Sequence, residues 1–108
     1  MYKKKSFLAI IPARKNSKRI KDKNLLKINN KTLVEIAILE SLKSKYIDKI
    51  IVSSDSPRIN KISSKFNCVP LKERPKSLSK DNSKTIDLIK FYYNLYTQFD
   101  YILVLQPT

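Results

Sequence analysis

The sequence predicts an α/β layer fold built on a parallel sheet. Three observations carry that prediction. Short apolar runs recur at residues 7–11, 49–53, 68–71 and 101–105. The segments between them repeat apolar residues at three and four positions, the spacing of a helix face. The first run, Phe7 through Ile11, has no polar alternation, as expected of a strand covered on both faces. Strand, helix, strand, helix, strand, helix, strand is the order that right-handed crossovers onto a single sheet produce.

Each element has a local reason. The first run is closed by Pro12 and passes into a loop. Asn29, Asn30, Lys31 and Thr32 form turn material, since asparagine tolerates positive φ. Thr32 is the expected N-cap of a helix running to about Lys43, with Leu33, Ile36, Ala37, Leu39 and Leu42 at helical spacing. Residues 49–53 form the second strand, and Ser56 followed by Pro57 starts the second helix. Ile59, Ile62 and Phe66 line that helix, and Asn67 ends it in place of glycine. Residues 68–71 are a weaker third strand, followed by a polar loop at 72–82. Ile86, Ile89, Tyr92, Tyr93 and Tyr96 make one wall of a third helix over residues 83–98. The fourth strand, 101–105, leads into Gln106, Pro107 and Thr108.

Composition bounds the function. The chain is 42% hydrophobic and 30% charged, which is globular. It contains no histidine, which excludes imidazole triads and histidine metal sites. One cysteine, Cys68, cannot make an internal disulfide and reads as a buried structural thiol in a reducing compartment. No apolar run approaches the roughly 20 residues of a membrane span, so a cytoplasmic protein with no membrane partner is expected.

Charge is concentrated near the amino end. Residues 1–31 hold eleven Lys and Arg against one Asp, so they supply +10 of the net +14. Six of those cations, Arg14, Lys15, Lys18, Arg19, Lys21 and Lys23, lie in the loop after the first strand. In parallel α/β sheets ligands bind beyond the carboxyl ends of the strands. A cationic loop with exposed N–H groups at that place suits phosphate. The chain contains no glycine, so neither the P-loop nor the dinucleotide fingerprint can be present.

Residue order narrows the choice. The run Ile10-Ile11-Pro12-Ala13-Arg14 with Ser17, Lys18, Lys23 and Asn24, the Val52-Ser53-Ser54-Asp55 segment, Arg74-Pro75 with Asp81-Asn82-Ser83, and the final Leu105-Gln106-Pro107-Thr108 occur in that order. Together they resemble the acylneuraminate cytidylyltransferases, the CMP-sialic acid synthetases, with pseudaminate and legionaminate cytidylyltransferases as relatives. The likeness covers the whole chain. Where that family places glycines, Lys15, Asn16 and Arg19 stand in the first loop here and Asn30 and Asn67 at two later turns; of these, the asparagines are able to take positive φ, while Lys15 and Arg19 depart from the pattern.

The resemblance implies a Rossmann-like nucleotidyltransferase fold, a three-layer α/β/α sandwich with a mostly parallel sheet. Residues 1–108 would be the N-terminal, CTP-binding portion of that domain, a fragment with little activity alone. The implied reaction moves CMP from CTP to a nonulosonic acid and releases pyrophosphate. By matching, Ala13, Arg14, Ser17, Lys18 and Lys23 face the triphosphate, with Arg14 and Lys23 catalytic. Asn24 and Arg74 fix the nucleotide, Asn82, Ser83 and Thr85 lie near base or ribose, and Gln106 approaches the sugar acid. Mg²⁺ is the implied cofactor, its ligands expected beyond residue 108, and the full-length form is expected to be a homodimer. Two alternatives stand beside this reading: a small basic nucleic-acid-binding module, and a cytidylyltransferase for another acidic sugar such as a deoxyoctulosonate.

Overall fold

A computed structural model describes residues 4–14, 23–72, 74, 78 and 85–106, with Lys23 described in its backbone only. Three parallel strands form the central sheet: β1 (Phe7–Pro12), β4 (Lys49–Ser53) and β5 (Tyr101–Val104), in the order β4-β1-β5. Leu8 pairs with Lys49 on one side and Ile102 on the other, and the register runs on to Pro12 opposite Ser53.

β1 is the centre of the molecule because its alternate side chains serve two cores. Ala9 and Ile11 pack with Val34, Ile38, Ile50, Val52, Ile59 and Cys68 on one face. Leu8 and Ile10 pack with Ile51, Leu88, Tyr92 and Tyr96 on the other. The first core lies under α1 (Leu33–Leu42) and α2 (Pro57–Lys65), the second under α3 (Thr85–Leu95). This is the three-layer arrangement expected from the unbroken apolar run at Phe7 through Ile11.

The helix caps follow their sequence signals. Thr32 and Glu35 form a reciprocal capping box: Glu35 N–H donates to Thr32 Oγ1 at 3.2 Å, and Thr32 N–H donates to Glu35 Oε1 at 3.1 Å. Ser56 caps α2 by accepting from Ile59 N–H at 3.3 Å, with Pro57 at the first helical position. Asn67, just past α2, sits at φ 57°, the left-handed conformation for which asparagine substitutes glycine.

Three sequence expectations change. Residues 68–71 make no strand: Val52 N–H reaches Cys68 O at 2.8 Å, but Pro70 has no N–H to continue a ladder, and Leu71 N–H turns to the Tyr96 hydroxyl at 2.8 Å. The buried face of α1 is Leu33, Val34, Ile38 and Ser41, with Leu42 exposed, because a helix apolar on nearly all sides leaves its orientation to packing. In α3 the buried residues are Leu88 and Tyr92, continued by Tyr96, while Ile86 and Tyr93 face solvent.

The turn at 29–30 is more than a turn. Asn29 at φ 52° and Asn30 at φ 67° join β2 (Lys27–Ile28) to β3 (Lys31–Thr32) in a two-residue antiparallel hairpin. Two consecutive positive φ values match the right-handed twist of paired strands, which is why asparagine is favoured there.

Carboxylates tether the amino end of the sheet. Asp100 accepts from Ser6 N–H at 2.8 Å and from the Ser6 hydroxyl at 3.1 Å, and the backbone bond first, then the hydroxyl, holds its pKa below the ordinary carboxylate value. The Thr32 N–H does the same for Glu35. A carboxylate with a depressed folded pKa stabilises the fold fully above its unfolded pKa, about 3.9 for Asp and 4.3 for Glu, and the contribution disappears as pH falls through the folded value. Urea midpoints measured from pH 7 to pH 2.5 should therefore decline below about pH 4, with a shallower decline in Asp100→Asn. Identical slopes in the two proteins would contradict the tether.

Candidate active site

The strand order reverses at β1: its outgoing connection leads to β4 on one side, and the chain returns to β5 on the other. In an open parallel sheet that reversal leaves a crevice beyond the carboxyl ends. Ala13 and Arg14 follow β1 there, and Ser53, Ser54 and Asp55 end and follow β4.

Ser53 ties these segments together. Its carbonyl accepts Ala13 N–H at 2.8 Å, extending the β1–β4 pairing past Pro12, and also accepts Arg74 Nη1 at 3.4 Å. Its hydroxyl accepts from the Tyr92 hydroxyl at 2.8 Å. Ser53 and Tyr92 are both fully buried. Arg74 donates further from Nε and Nη2 to Leu78 O at 3.0 and 2.8 Å. At least three of the five guanidinium N–H groups are thus bonded to backbone carbonyls, which orients the fork.

The next turn is equally ordered. Ser54 Oγ accepts from Ser56 N–H at 3.0 Å, and Ser54 O accepts from Asn60 Nδ2 at 3.3 Å. This local serine network delivers the chain from β4 into α2 and leaves Asp55 exposed at the sheet edge.

Electrostatics mark the crevice as cationic. Burial lowers the Arg74 pKa from its ordinary value, Asp55 and Tyr92 oppose the shift, and the Arg14 charge reinforces it. The guanidinium stays protonated, since arginine does not lose its charge in proteins. Among the described residues, Arg14 and Asp55 both act on the Arg74 charge, the first opposing it and the second supporting it. Burial pushes the Tyr92 phenol upward, so it is a neutral hydrogen-bond donor at physiological pH.

The predicted residues distribute unevenly. Ala13, Arg14, Asn24 and Arg74 come together: Asn24, 8% exposed, donates from Nδ2 to Arg14 O at 3.1 Å, and Ala13 and Arg74 share the Ser53 carbonyl. Lys23 begins the 3₁₀ turn Lys23–Leu25 that presents Asn24. Thr85 is the exposed first residue of α3. Gln106 lies along a groove of about 470 Å³ with Leu33, Ile36, Ala37 and Leu105, against α1. Ser17, Lys18, Asn82 and Ser83 lie outside the described residues, as do Lys15, Arg19 and Lys21.

The sequence places Ser53 at the crevice only as part of the segment Ser53-Ser54-Asp55 after the second strand, and gives neither Ser53 nor Tyr92 a role of its own there. Ser53 lay within a matched motif, but Tyr92 was read as core packing alone, and its bond to Ser53 spans 39 residues of chain. Cys68 is buried as expected, its thiol pKa pushed up by burial.

Magnesium has no cage among the described residues, where no three His, Cys, Asp or Glu side chains gather. A hard divalent ion takes several oxygen ligands, and Asp55 alone does not supply them. None of the described helices is long and apolar enough to cross a membrane.

Known proteins resemble this chain over most of its length. A cytidylyltransferase family model matches residues 8–107. The chain is 35% identical over 101 residues to the N-acylneuraminate cytidylyltransferase of Escherichia coli O18:K1:H7, covering 94% of this chain and 24% of that protein. It is 34% identical over 105 residues to the CMP-N,N'-diacetyllegionaminic acid synthase of Legionella pneumophila, covering 94% of this chain and 45% of that one. A solved structure of CMP:2-keto-3-deoxy-manno-octonic acid synthetase complexed with CTP superposes with a TM-score of 0.70 at 22% identity, over 94% of this chain and 40% of that one, a likeness of fold. The chain therefore spans between a quarter and a half of the length of these proteins. With the fold, the order of its motifs and the family model in agreement, the chain belongs to the cytidylyltransferase family.

Proposed function

We propose that these residues form the CTP-binding part of an enzyme that transfers CMP from CTP to a nonulosonic acid. The observation that carries the reading is that Arg74 and the turn at Ala13–Arg14 are held to the same Ser53 carbonyl at the carboxyl ends of β1 and β4, in a chain whose family model matches residues 8–107. The relatives named for N-acylneuraminate and N,N'-diacetyllegionaminic acid supply the sugar class. An octulosonate is the second choice of sugar.

In this reaction the anomeric hydroxyl oxygen of the sugar acid forms a bond to the α-phosphorus as the bond to the β-phosphate oxygen breaks. The hydroxyl proton passes to solvent and pyrophosphate leaves with the electron pair. The protein's task is to align the phosphates and balance their charge. Arg14, Ser17, Lys18 and Lys23 are assigned to the triphosphate, with Arg14 and Lys23 closest to the reacting bond and Ala13 contributing backbone. Asn24, Arg74, Asn82, Ser83 and Thr85 are assigned to the nucleoside, and Gln106 to the sugar acid.

Thermal unfolding with CTP and Mg²⁺ tests this. At ten times Kd, bound ligand adds about 1.4 kcal/mol to the native state, a rise in Tm of several degrees. The rise should disappear in Arg14→Ala at the same nucleotide concentration. An equal rise in both proteins would overturn the phosphate assignment. Steeply salt-dependent binding to RNA or DNA with no response to CTP would favour the nucleic-acid module instead.

A further inference from the structure

Tyr92 and Tyr96 are the largest fully buried side chains among the described residues, and both belong to the second core. A phenylalanine in place of Tyr92 would fill its space without bringing a polar atom that must be bonded. The Tyr92 hydroxyl donates to Ser53 Oγ at 2.8 Å. Ser53, buried at the end of β4, passes the constraint on through its carbonyl, which holds both Ala13 N–H and Arg74 Nη1. Of the three Arg74 bonds among the described residues, the one to Ser53 is the longest, at 3.4 Å against 3.0 and 2.8 Å to Leu78 O. It is the bond that a small displacement of Ser53 breaks first.

We infer that Tyr92 is a positioning residue: through its bond to Ser53 it sets the Ser53 carbonyl, and with it the Arg74 guanidinium and the Ala13–Arg14 turn, at the carboxyl edge of the sheet. Like charges drive Arg74 away from Arg14, so an arginine held there needs an anchor on the side away from the crevice. Leu78 O holds two of the guanidinium nitrogens, Nε and Nη2, and Ser53 O holds the third, Nη1. Removing the Tyr92 hydroxyl frees the Ser53 side chain and loosens the weaker of these anchors, while the aromatic ring keeps the core filled. The role of Tyr92 toward the nucleotide rests on the CTP reading; its hold on Arg74 does not.

The experiment uses the ¹⁵N-labelled 108-residue chain. Hydrogen exchange at Arg74 Nη1–H, the group that donates to Ser53 O, is measured without ligand, and CTP affinity is titrated with Mg²⁺. Tyr92→Phe should speed Arg74 Nη1–H exchange at least severalfold and weaken CTP binding by about threefold to tenfold, the scale of one hydrogen bond. Ser53→Ala, which removes the acceptor instead, should give the same pair of changes. In an Arg74→Lys background, Tyr92→Phe should cost little further affinity, since the anchored group is gone. Unchanged Arg74 exchange in both Tyr92→Phe and Ser53→Ala would overturn the inference, and so would equal affinity losses with and without Arg74. Faster Arg74 exchange in a chain that binds no CTP would uphold the positioning and bring down the nucleotide reading alone.

Discussion

Arg74→Ala is expected to weaken CTP binding by at least tenfold and to lower stability by about 1–3 kcal/mol, since the Ser53 and Leu78 carbonyls lose their guanidinium donor. Both effects come from the same geometry. The fork is held by two backbone carbonyls, one of which, Ser53 O, lies at the carboxyl edge of the sheet. Arg74→Lys separates them, because an ammonium keeps the charge but cannot reproduce three bonds in a planar fork. The lysine variant should recover part of the affinity and little of the stability. CTP titration and urea unfolding of the three proteins check this. An alanine variant with unchanged CTP affinity would remove Arg74 from the nucleotide site.

Ile10→Ala carries the largest expected loss of stability, about 2–5 kcal/mol. Ile10 is 1% exposed at the centre of β1 and packs in the core that includes Leu88, Tyr92 and Tyr96. Domain stabilities lie near 5–15 kcal/mol, so the change removes a large share of the margin. Shortening the side chain there also leaves Tyr92 less firmly packed, so the site should suffer along with the fold. Equilibrium urea unfolding measures the first effect. A loss below about 1 kcal/mol would mean that the site collapses around the missing atoms.

What could be read in the sequence was set by how local the cause is. β1 and β4 are continuous apolar runs because both of their faces are covered, and their positions follow directly. Thr32 with Glu35, and Ser56 with Pro57, are caps whose partners lie within three residues. The orientation of α1 was not readable, since Leu33, Val34, Ile36, Ala37, Ile38, Leu39 and Leu42 leave almost no polar side to its surface. Residues 68–71 looked like a strand by hydrophobicity, yet Pro70 denies the ladder a donor.

The candidate site divides along the same line. Arg14 and Asn24 are ten residues apart and their association follows from motif order. The links of Ser53 to Arg74 and Tyr92 span 21 and 39 residues. Such contacts exist only once two layers have packed, and no spacing rule in a single sequence marks them. Gln106, placed by resemblance at the sugar acid, follows β5 and lines a groove with Leu33, Ile36 and Ala37 of α1.

The asparagines at the left-handed positions have a consequence for the chain before it folds. Asn29, Asn30 and Asn67 take conformations that glycine reaches freely, in a protein that contains no glycine. A positive φ in a residue with a side chain strains the native backbone, though less for asparagine than for most. The same side chain restricts the unfolded ensemble, and replacing glycine where the native backbone tolerates it is worth about 0.4–1 kcal/mol in unfolded-state entropy. The chain thus moves the cost of its tight turns out of the disordered state and into the backbone of the folded one.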